Sequence, residues 1–309
     1  MTLYTSEHPN LSIDRAALAA GVGRGNIRHI PADENFRMRP DALETAIKDD
    51  LAAGKRPFCV IPTLGTTSSS SLDPLPEIAA VARRYDLWLH VDAAYAGPAA
   101  ILDECRYVLQ GTELADSLVV NPHKWLFTPI DLSALYTRRP EVFRRALALE
   151  HAPAYLSAAA ETLNKPGAAV NLSDYSVALG RRFRALKLWF VLRYYGREGI
   201  AEILRGHMRM AREFAESVQA DPRFELAAPV AFSLVCFRLR ASDEENRELL
   251  ARINATGKAF LSSTQLRGQF VLRLAIGNIA TTAADVQETW DLISSSAPHQ
   301  RPPGGVPAL

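Results

Sequence analysis

A lysine and an aspartate each follow an apolar stretch of this chain closely. Residues 118–120 are apolar and β-branched, which predicts a short buried strand, and Pro122 ends it because proline has no N–H for a sheet ladder. Lys124 comes just after, and Asp92 ends an earlier apolar run at 87–91. Ligands of an open α/β sheet bind beyond the carboxyl ends of its strands, so both side chains are expected at one site. A lysine that forms a Schiff base and an aspartate that pairs with a pyridine nitrogen are what pyridoxal phosphate chemistry requires.

Each of these signals is weak when it is taken singly. A lysine after a strand is more often a solvated loop charge, and an aspartate there is more often a helix cap or a turn residue. The two residues in this order, with His90 and His123 beside them, are far more specific.

Three stretches of the sequence carry a resemblance to a known family. They are residues 90–97 (HVDAAYAG), 121–126 (NPHKWL) and 180–191 (GRRFRALKLWFV). Through them, and over about residues 4–293, the chain resembles the pyridoxal-phosphate-dependent group II amino-acid decarboxylases, and most of all their aromatic L-amino-acid branch. The resemblance implies an α/β fold of type I, with a mostly parallel sheet in an incomplete large domain and a small C-terminal α+β domain.

The resemblance also assigns the residues that would hold the cofactor, pyridoxal 5'-phosphate. Lys124 would bind it as a Schiff base, and burial would lower the pKa of this lysine enough to supply a neutral amine. Asp92 would keep the pyridine nitrogen protonated, so that the ring can take up the electrons left by CO₂. Ala94 would pack against one face of the ring.

Four further positions match the family pattern. Thr67, Asn121 and His123 would line the cofactor, the last two towards its phosphate, and His123 is also a candidate catalytic residue; the alternative for it is an ordinary loop histidine. Tyr155 matches a tyrosine of a mobile lid, predicted here at about 150–170, whose phenol would protonate Cα after CO₂ leaves. The alternative is that Tyr155 only packs the loop.

Two departures from the family pattern leave questions open. Asn10 stands where the family usually has a histidine that stacks on the ring, and His8 lies two residues earlier. Either His8 reaches the ring by a local shift, or that contribution is lost. Family members also carry further chain ahead of Met1, including a phosphate-binding Ser/Gly turn, so either the start is set too late or the chain is a fragment.

The expected reaction is decarboxylation of an aromatic L-amino acid to its amine and CO₂, since Tyr95 and Trp125 resemble the aromatic branch. An aromatic aldehyde synthase is one alternative, and decarboxylation of an acidic amino acid is another. A third is a catalytically impaired remnant that only folds or dimerises. The full-length protein is expected to be a homodimer.

Strands alternate with helices through the first half of the chain, which predicts a parallel sheet covered on both faces. The predicted strands lie at 27–30, 58–61, 87–92, 118–120 and 132–137. Helices are predicted from 13, 40 and 74, with Ser12 and Asp73 as caps, and a helical pattern covers 1–22.

The second half has a different pattern. Long helices are predicted at 177–196 and 200–218, then strands at 232–240 and 270–276, with helices at 243–256 and 282–293. The predicted domains are 1–195 and 196–293, and the proline- and glycine-rich tail at 294–309 is predicted to be disordered.

Composition excludes several functional classes. Hydrophobic residues make up 48% and charged residues 22%, as in a soluble globular protein, and the net charge of +1 argues against a nucleic-acid partner. No apolar run reaches the roughly 18 residues of a membrane span. Cys59, Cys105 and Cys236 are scattered and odd in number, which indicates buried thiols in a reducing compartment and a cytoplasmic protein. We predict no metal site.

Overall fold

The structure is a computed structural model that describes residues 1–148 and 172–298. The first half forms a six-stranded sheet in the order β2-β1-β3-β4-β5-β6. Its strands are Thr2–Ser6 (β1), Ile27–Ile30 (β2), Pro57–Ile61 (β3), Trp88–Asp92 (β4), Ser117–Val120 (β5) and Ala134–Thr137 (β6). Neighbouring strands are parallel except β5 and β6, which are antiparallel. The predicted, mostly parallel α/β sheet is confirmed.

Four helices accompany this sheet: Leu11–Ala19 (α1), Pro40–Ala52 (α2), Leu75–Arg84 (α3) and Pro140–Leu147 (α4). Three short 3₁₀ segments, Gly97–Ile101, Asp103–Leu109 and Thr112–Leu114, connect β4 to β5. The sequence predicts helix and loop over residues 101–114; the structure instead forms 3₁₀ turns there, and α-helix is absent from this stretch.

The prediction of a helical pattern from residue 1 is wrong at its beginning. Residues 2–6 form a fully buried strand between β2 and β3, because β-branched and aromatic residues there fit a covered pleated surface. Tyr4 donates a hydrogen bond to Asp50 at 2.9 Å, which satisfies its buried phenol. Asn10, and not Ser12, caps α1 by accepting from the Ser12 backbone N–H at 2.9 Å.

The predicted cap of α3 is also wrong. The carboxylate of Asp73 accepts the backbone N–H groups of Met38 and Thr63, each at 2.7 Å. It therefore ties the end of β3 to the segment before α2, and Pro74 takes the cap position ahead of Leu75.

One long helical segment, Ala185–Ala220 (α5), joins the two halves of the chain and is interrupted at Gly196 (φ 64°, ψ 178°). It begins later than the predicted residue 177. Ile200 and Leu204 pack into the core of the first sheet, whereas Phe214 and Val218 pack into the second core. The helix thus contributes to both cores, and the predicted boundary at residue 195 stays a prediction.

The second half forms a four-stranded antiparallel sheet in the order β7-β8-β10-β9. It comprises Phe224–Leu226 (β7), Leu234–Leu239 (β8), Ser262–Leu266 (β9) and Gln269–Ala275 (β10), with helices Asp243–Ala255 (α6) and Ala283–Ser296 (α7). The small α+β fold is confirmed. Sequence reasoning missed β7, which has three residues, and β9, whose sequence SSTQL is mostly polar.

The three cysteines are free and buried, as predicted. Within residues 1–148 and 172–298, no helix is long and apolar enough to cross a membrane.

Candidate active site

The site lies where β3, β4 and β5 end side by side. Asp92 is the last residue of β4, and its carbonyl accepts the backbone N–H of Leu64, just past β3, at 2.7 Å. On the other side, the carbonyl of Ala94 accepts the N–H of Asn121, just past β5, at 3.2 Å. Parallel strands therefore bring the three segments to one edge of the sheet, as the sequence predicted.

Asp92 is buried, with 7% of its surface exposed. Its Oδ1 accepts the backbone N–H of Ala94 at 3.0 Å, whereas no hydrogen bond from the described parts of the chain reaches Oδ2. Nearby His90 shares a 2.8 Å hydrogen bond between Nδ1 and the Ser117 hydroxyl. Burial lowers the pKa of His90, so a neutral imidazole leaves the Asp92 carboxylate without a cationic partner there. The free oxygen of Asp92 can accept a protonated ring nitrogen.

Lys124 lies on the turn that follows β5, where its backbone N–H donates to the Asn121 carbonyl at 2.9 Å. Burial lowers the pKa of Lys124, and the charge of Asp92 opposes that shift more weakly. The ammonium has no hydrogen-bond or ion-pair partner among residues 1–148 and 172–298. This direction agrees with the expectation for Lys124, whose role stays a prediction, and a lysine of lowered pKa supplies neutral amine more readily.

The neighbours of Lys124 offer polar atoms to a ligand. Nδ1 of His123 accepts the backbone N–H of Leu132 at 3.0 Å, so the ring hydrogen is on Nε2, which remains available as a donor. Oδ1 of Asn121 is buried and has no hydrogen-bond partner in the described structure. A buried amide without a partner is costly, so a bound ligand is a natural partner for it.

Thr67 lies on the loop after β3 and is exposed. Its hydroxyl accepts from Nδ2 of Asn10 at 3.0 Å, and its carbonyl accepts from Nη2 of Arg273 at 2.5 Å. His8 packs edge-on against Phe36 instead, with ring centroids 5.7 Å apart. Asn10 therefore forms a hydrogen bond with Thr67, one of the residues predicted to line the cofactor, whereas His8 packs against Phe36.

The small sheet supplies contacts that sequence reasoning missed. Tyr95, just past β4, shares a 2.8 Å hydrogen bond with Ser233, and Cys236 of β8 donates its thiol to the Ser68 carbonyl at 3.1 Å. The sequence signal for Arg273 is a charge within the apolar run of β10. Both sheets therefore contribute to the walls of the site.

Two further residues were predicted for the site. Ala94 is buried and donates its N–H to Asp92, and its contact with the cofactor ring stays a prediction. Tyr155 lies outside the described residues, so its role stays a prediction.

Pyridoxal 5'-phosphate fits the chemistry of these residues. A lysine of lowered pKa stands near a buried carboxylate with one free oxygen. A histidine N–H and an amide without a partner adjoin them. An aldehyde, a protonated ring nitrogen and a phosphate would satisfy these groups.

Comparison with known proteins gives the same assignment. A family model described as the pyridoxal-dependent decarboxylase conserved domain matches residues 1–240. Tyrosine decarboxylase 2 of Arabidopsis thaliana is 43% identical over 306 residues, which cover 96% of this chain and 55% of that protein. The aromatic-L-amino-acid decarboxylase of Drosophila lebanonensis is 43% identical over 297 residues, 96% of this chain and 71% of that protein.

Among solved structures, a crystal structure of Oryza sativa TDC with PLP and tryptamine superposes with a TM-score of 0.88 at 39% identity. The match covers 96% of this chain and 62% of that one. The chain thus spans little more than half the length of several proteins that it resembles.

Proposed function

Because the chain belongs to the pyridoxal-dependent decarboxylase family, we propose that the protein decarboxylates an aromatic L-amino acid to the corresponding amine and CO₂. The observation that carries the proposal is the position of Lys124 and Asp92, which lie at the ends of two adjacent parallel strands. The aromatic class is supported by the names of the relatives, a tyrosine decarboxylase and an aromatic-L-amino-acid decarboxylase.

Pyridoxal 5'-phosphate, when bound, supplies a ring that withdraws the electrons released when the bond from Cα to the carboxylate breaks. Several residues at the strand ends would hold it. They are Lys124 through its ε-amine, Asp92 at the ring nitrogen, Ala94 against the ring, Asn121 and His123 near the phosphate, and Thr67 beside them.

The residues themselves hold and move protons at defined atoms. The lowered pKa of Lys124 lets Nζ act as a neutral amine, which can accept a proton and return it. Nε2 of His123 carries a hydrogen that it can donate to an anion, because Nδ1 is already engaged by Leu132. Tyr155 remains our candidate for the acid that protonates Cα.

We also propose a homodimer. Its support is an exposed apolar surface around the beginning of α5. Phe183, just before the helix, is 76% exposed, and Trp189, Phe190 and Tyr194 within it are 53%, 58% and 82% exposed. Exposed apolar patches of this kind commonly mark contact surfaces. Sedimentation over a range of concentrations tests this, and a chain that stays monomeric would contradict it.

We also propose a cellular location and a class of partner, on the basis of the free cysteines and the net charge of the chain. Three free, buried cysteines support a reducing, cytoplasmic environment. A net charge of +1 argues against a nucleic-acid partner, and the family match supports an amino-acid substrate.

The test of the reaction is an assay for amine and CO₂ with tyrosine, tryptophan and dopa in the presence of pyridoxal 5'-phosphate. We expect equal amounts of the two products, and a loss of at least about 100-fold in Lys124→Ala, because the neutral amine acts in proton transfer. Lys258→Ala is the matched control, since Lys258 is exposed and lies in the small α+β half.

Other outcomes would identify the alternatives. An aldehyde in place of the amine would indicate an aromatic aldehyde synthase. Turnover of glutamate or cysteine sulfinate but of none of the aromatic substrates would indicate an acidic amino-acid decarboxylase. No product from either class of substrate with the folded wild-type chain would indicate a catalytically impaired remnant.

A further inference from the structure

The residue after Lys124 anchors the lysine turn in a buried aromatic cluster. Trp125 is 1% exposed, and its indole stacks on Tyr95 with centroids 5.1 Å apart and planes at 16°. Phe232, from the loop before β8, meets the indole edge-on at 5.8 Å. Because Trp125 and Lys124 share a peptide bond, the placement of this indole constrains the backbone that carries the lysine.

A buried histidine fixes the orientation of that indole. His207 lies on α5 and is 2% exposed. Its Nδ1 accepts the indole N–H of Trp125 at 3.2 Å. The same imidazole meets the ring of Phe127 edge-on at 5.7 Å, so His207 contacts residues on both sides of Leu126 in the segment that follows Lys124.

The protonation state of His207 suits this contact. Nδ1 can accept only when it carries no proton, which leaves the ring hydrogen on Nε2. Burial lowers the pKa of His207, and the backbone of Asn278 opposes the shift more weakly. The imidazole therefore stays neutral and keeps its acceptor on the Trp125 side.

Apolar packing alone does not account for a histidine here. Its buried Nε2 lies towards the backbone of Asn278, but their geometry is not that of a full hydrogen bond. A weakly paired buried polar group destabilises a protein, a cost that a leucine of similar size would avoid. What the histidine supplies in return is a directional acceptor for the indole.

We propose that His207 is a positioning residue for Lys124, and that it acts by holding the Trp125 indole through its Nδ1. This inference rests on the proposed function. His207 would then influence the reactivity of Lys124 from α5, outside the strand ends that form the site. Because α5 packs into both cores, the same contact links the lysine turn to the segment that joins the two halves.

The experiment measures how fast pyridoxal 5'-phosphate becomes fixed to Lys124 on reduction with borohydride, followed by peptide mass spectrometry of the 309-residue chain. His207→Leu removes the acceptor and keeps the bulk, and Trp125→Phe removes the donor and keeps an aromatic ring. We expect each to slow labelling of Lys124 about 10-fold, because small displacements of a reacting group have large effects on rate. The double variant should be no slower than either single one, since both remove the same hydrogen bond.

A conservative variant and a stability control separate positioning from packing. His207→Gln retains an acceptor, so it should restore labelling to within about 3-fold of wild type. Val218→Ala weakens the same helix in the other core, where Val218 is fully buried, and should lower thermal stability without slowing the labelling of folded protein.

The results distinguish a positioning role of His207 from a role in packing alone. Equal labelling in wild type, His207→Leu and Trp125→Phe would overturn the inference while leaving the proposed function intact. Slowing in Val218→Ala to the same degree would also overturn it, because loss of stability would then be sufficient. No labelling of Lys124 in wild type would remove the proposed function and this inference with it.

Discussion

At the scale of single residues, the chemistry depends on the partial burial of Lys124 and Asp92 and on the few polar partners that the chain gives their charged groups. The ammonium of Lys124 is partly removed from water, and no described residue forms an ion pair with it. The carboxylate of Asp92 is buried and accepts a single hydrogen bond from the described residues, from the Ala94 N–H. Both charges are therefore only partly compensated within the chain, which is expected of a site whose ligand completes the interactions.

This arrangement makes a prediction about stability and pH. Burial lowers the pKa of Lys124 below its ordinary value of 10.5. Between the lowered pKa and 10.5 the unfolded chain binds more protons at this residue than the folded chain, so the free energy of unfolding rises with pH in that window. Below the window the buried charge destabilises the fold by its full amount.

Lys124→Met, which removes the charge and keeps the length, should therefore be more stable than wild type at pH 7. The difference in the free energy of unfolding should shrink as the pH rises towards 10.5. Urea unfolding of both proteins, without added cofactor, at several pH values measures it. A difference that does not change with pH would show that burial of the lysine charge is not its source.

At the scale of elements, the loop after β3 has to lie close to the end of β4. Gly65 has φ +89°, and a Cβ there would lie 2.7 Å from Cβ of Ala96. Only glycine fits this approach without displacing its neighbours. The close approach places Gly65 of this loop beside Tyr95 and Ala96, which follow Asp92 in the chain.

Replacing Gly65 with alanine should therefore be costly. Gly54→Ala is a matched control, since Gly54 also has a positive φ (+72°) but has nothing within 4 Å of a built Cβ. We expect about 1 kcal/mol of destabilisation for Gly54→Ala from the backbone conformation alone, and about 2–4 kcal/mol for Gly65→Ala because the clash adds to it. Chemical denaturation measures both, and equal losses would exclude the close approach as a cause.

Several elements could be predicted from the sequence because their signals are local. The apolar runs of β3, β4 and β5, each followed by a turn, fixed the positions of Asp92 and Lys124. The first strand was missed because alternation over residues 2–6 is absent when both faces are buried. The local sequence predicts a helix cap at Asp73, whereas its partners, Met38 and Thr63, belong to other segments of the chain.

The site itself could be predicted only in part, for the same reason. Lys124, Asp92, Ala94 and Asn121 come together because adjacent parallel strands end at one edge. His207 of α5 contacts Trp125, and Arg273 of β10 contacts the Thr67 carbonyl. Such tertiary contacts cannot be predicted from a local sequence pattern.

At the scale of the whole molecule, two sheets enclose the candidate site. The large sheet carries the lysine and the aspartate at its strand ends. The small sheet contributes Arg273 and Cys236, which donate hydrogen bonds to the carbonyls of Thr67 and Ser68, respectively. Helix α5 crosses from one core to the other. Its exposed apolar beginning is the surface we assign to a second copy of the chain.

The visible absorption spectrum of the purified chain with pyridoxal 5'-phosphate, recorded beside Lys124→Ala, Asp92→Asn and Lys258→Ala, shows whether the cofactor binds at the two strand ends. We expect the band of lysine-bound cofactor in wild type and Lys258→Ala and its absence in Lys124→Ala. Binding should be weaker in Asp92→Asn, which lacks the charge that holds a protonated ring nitrogen. Identical spectra for wild type and Lys124→Ala would show that the two strand ends do not form a cofactor site.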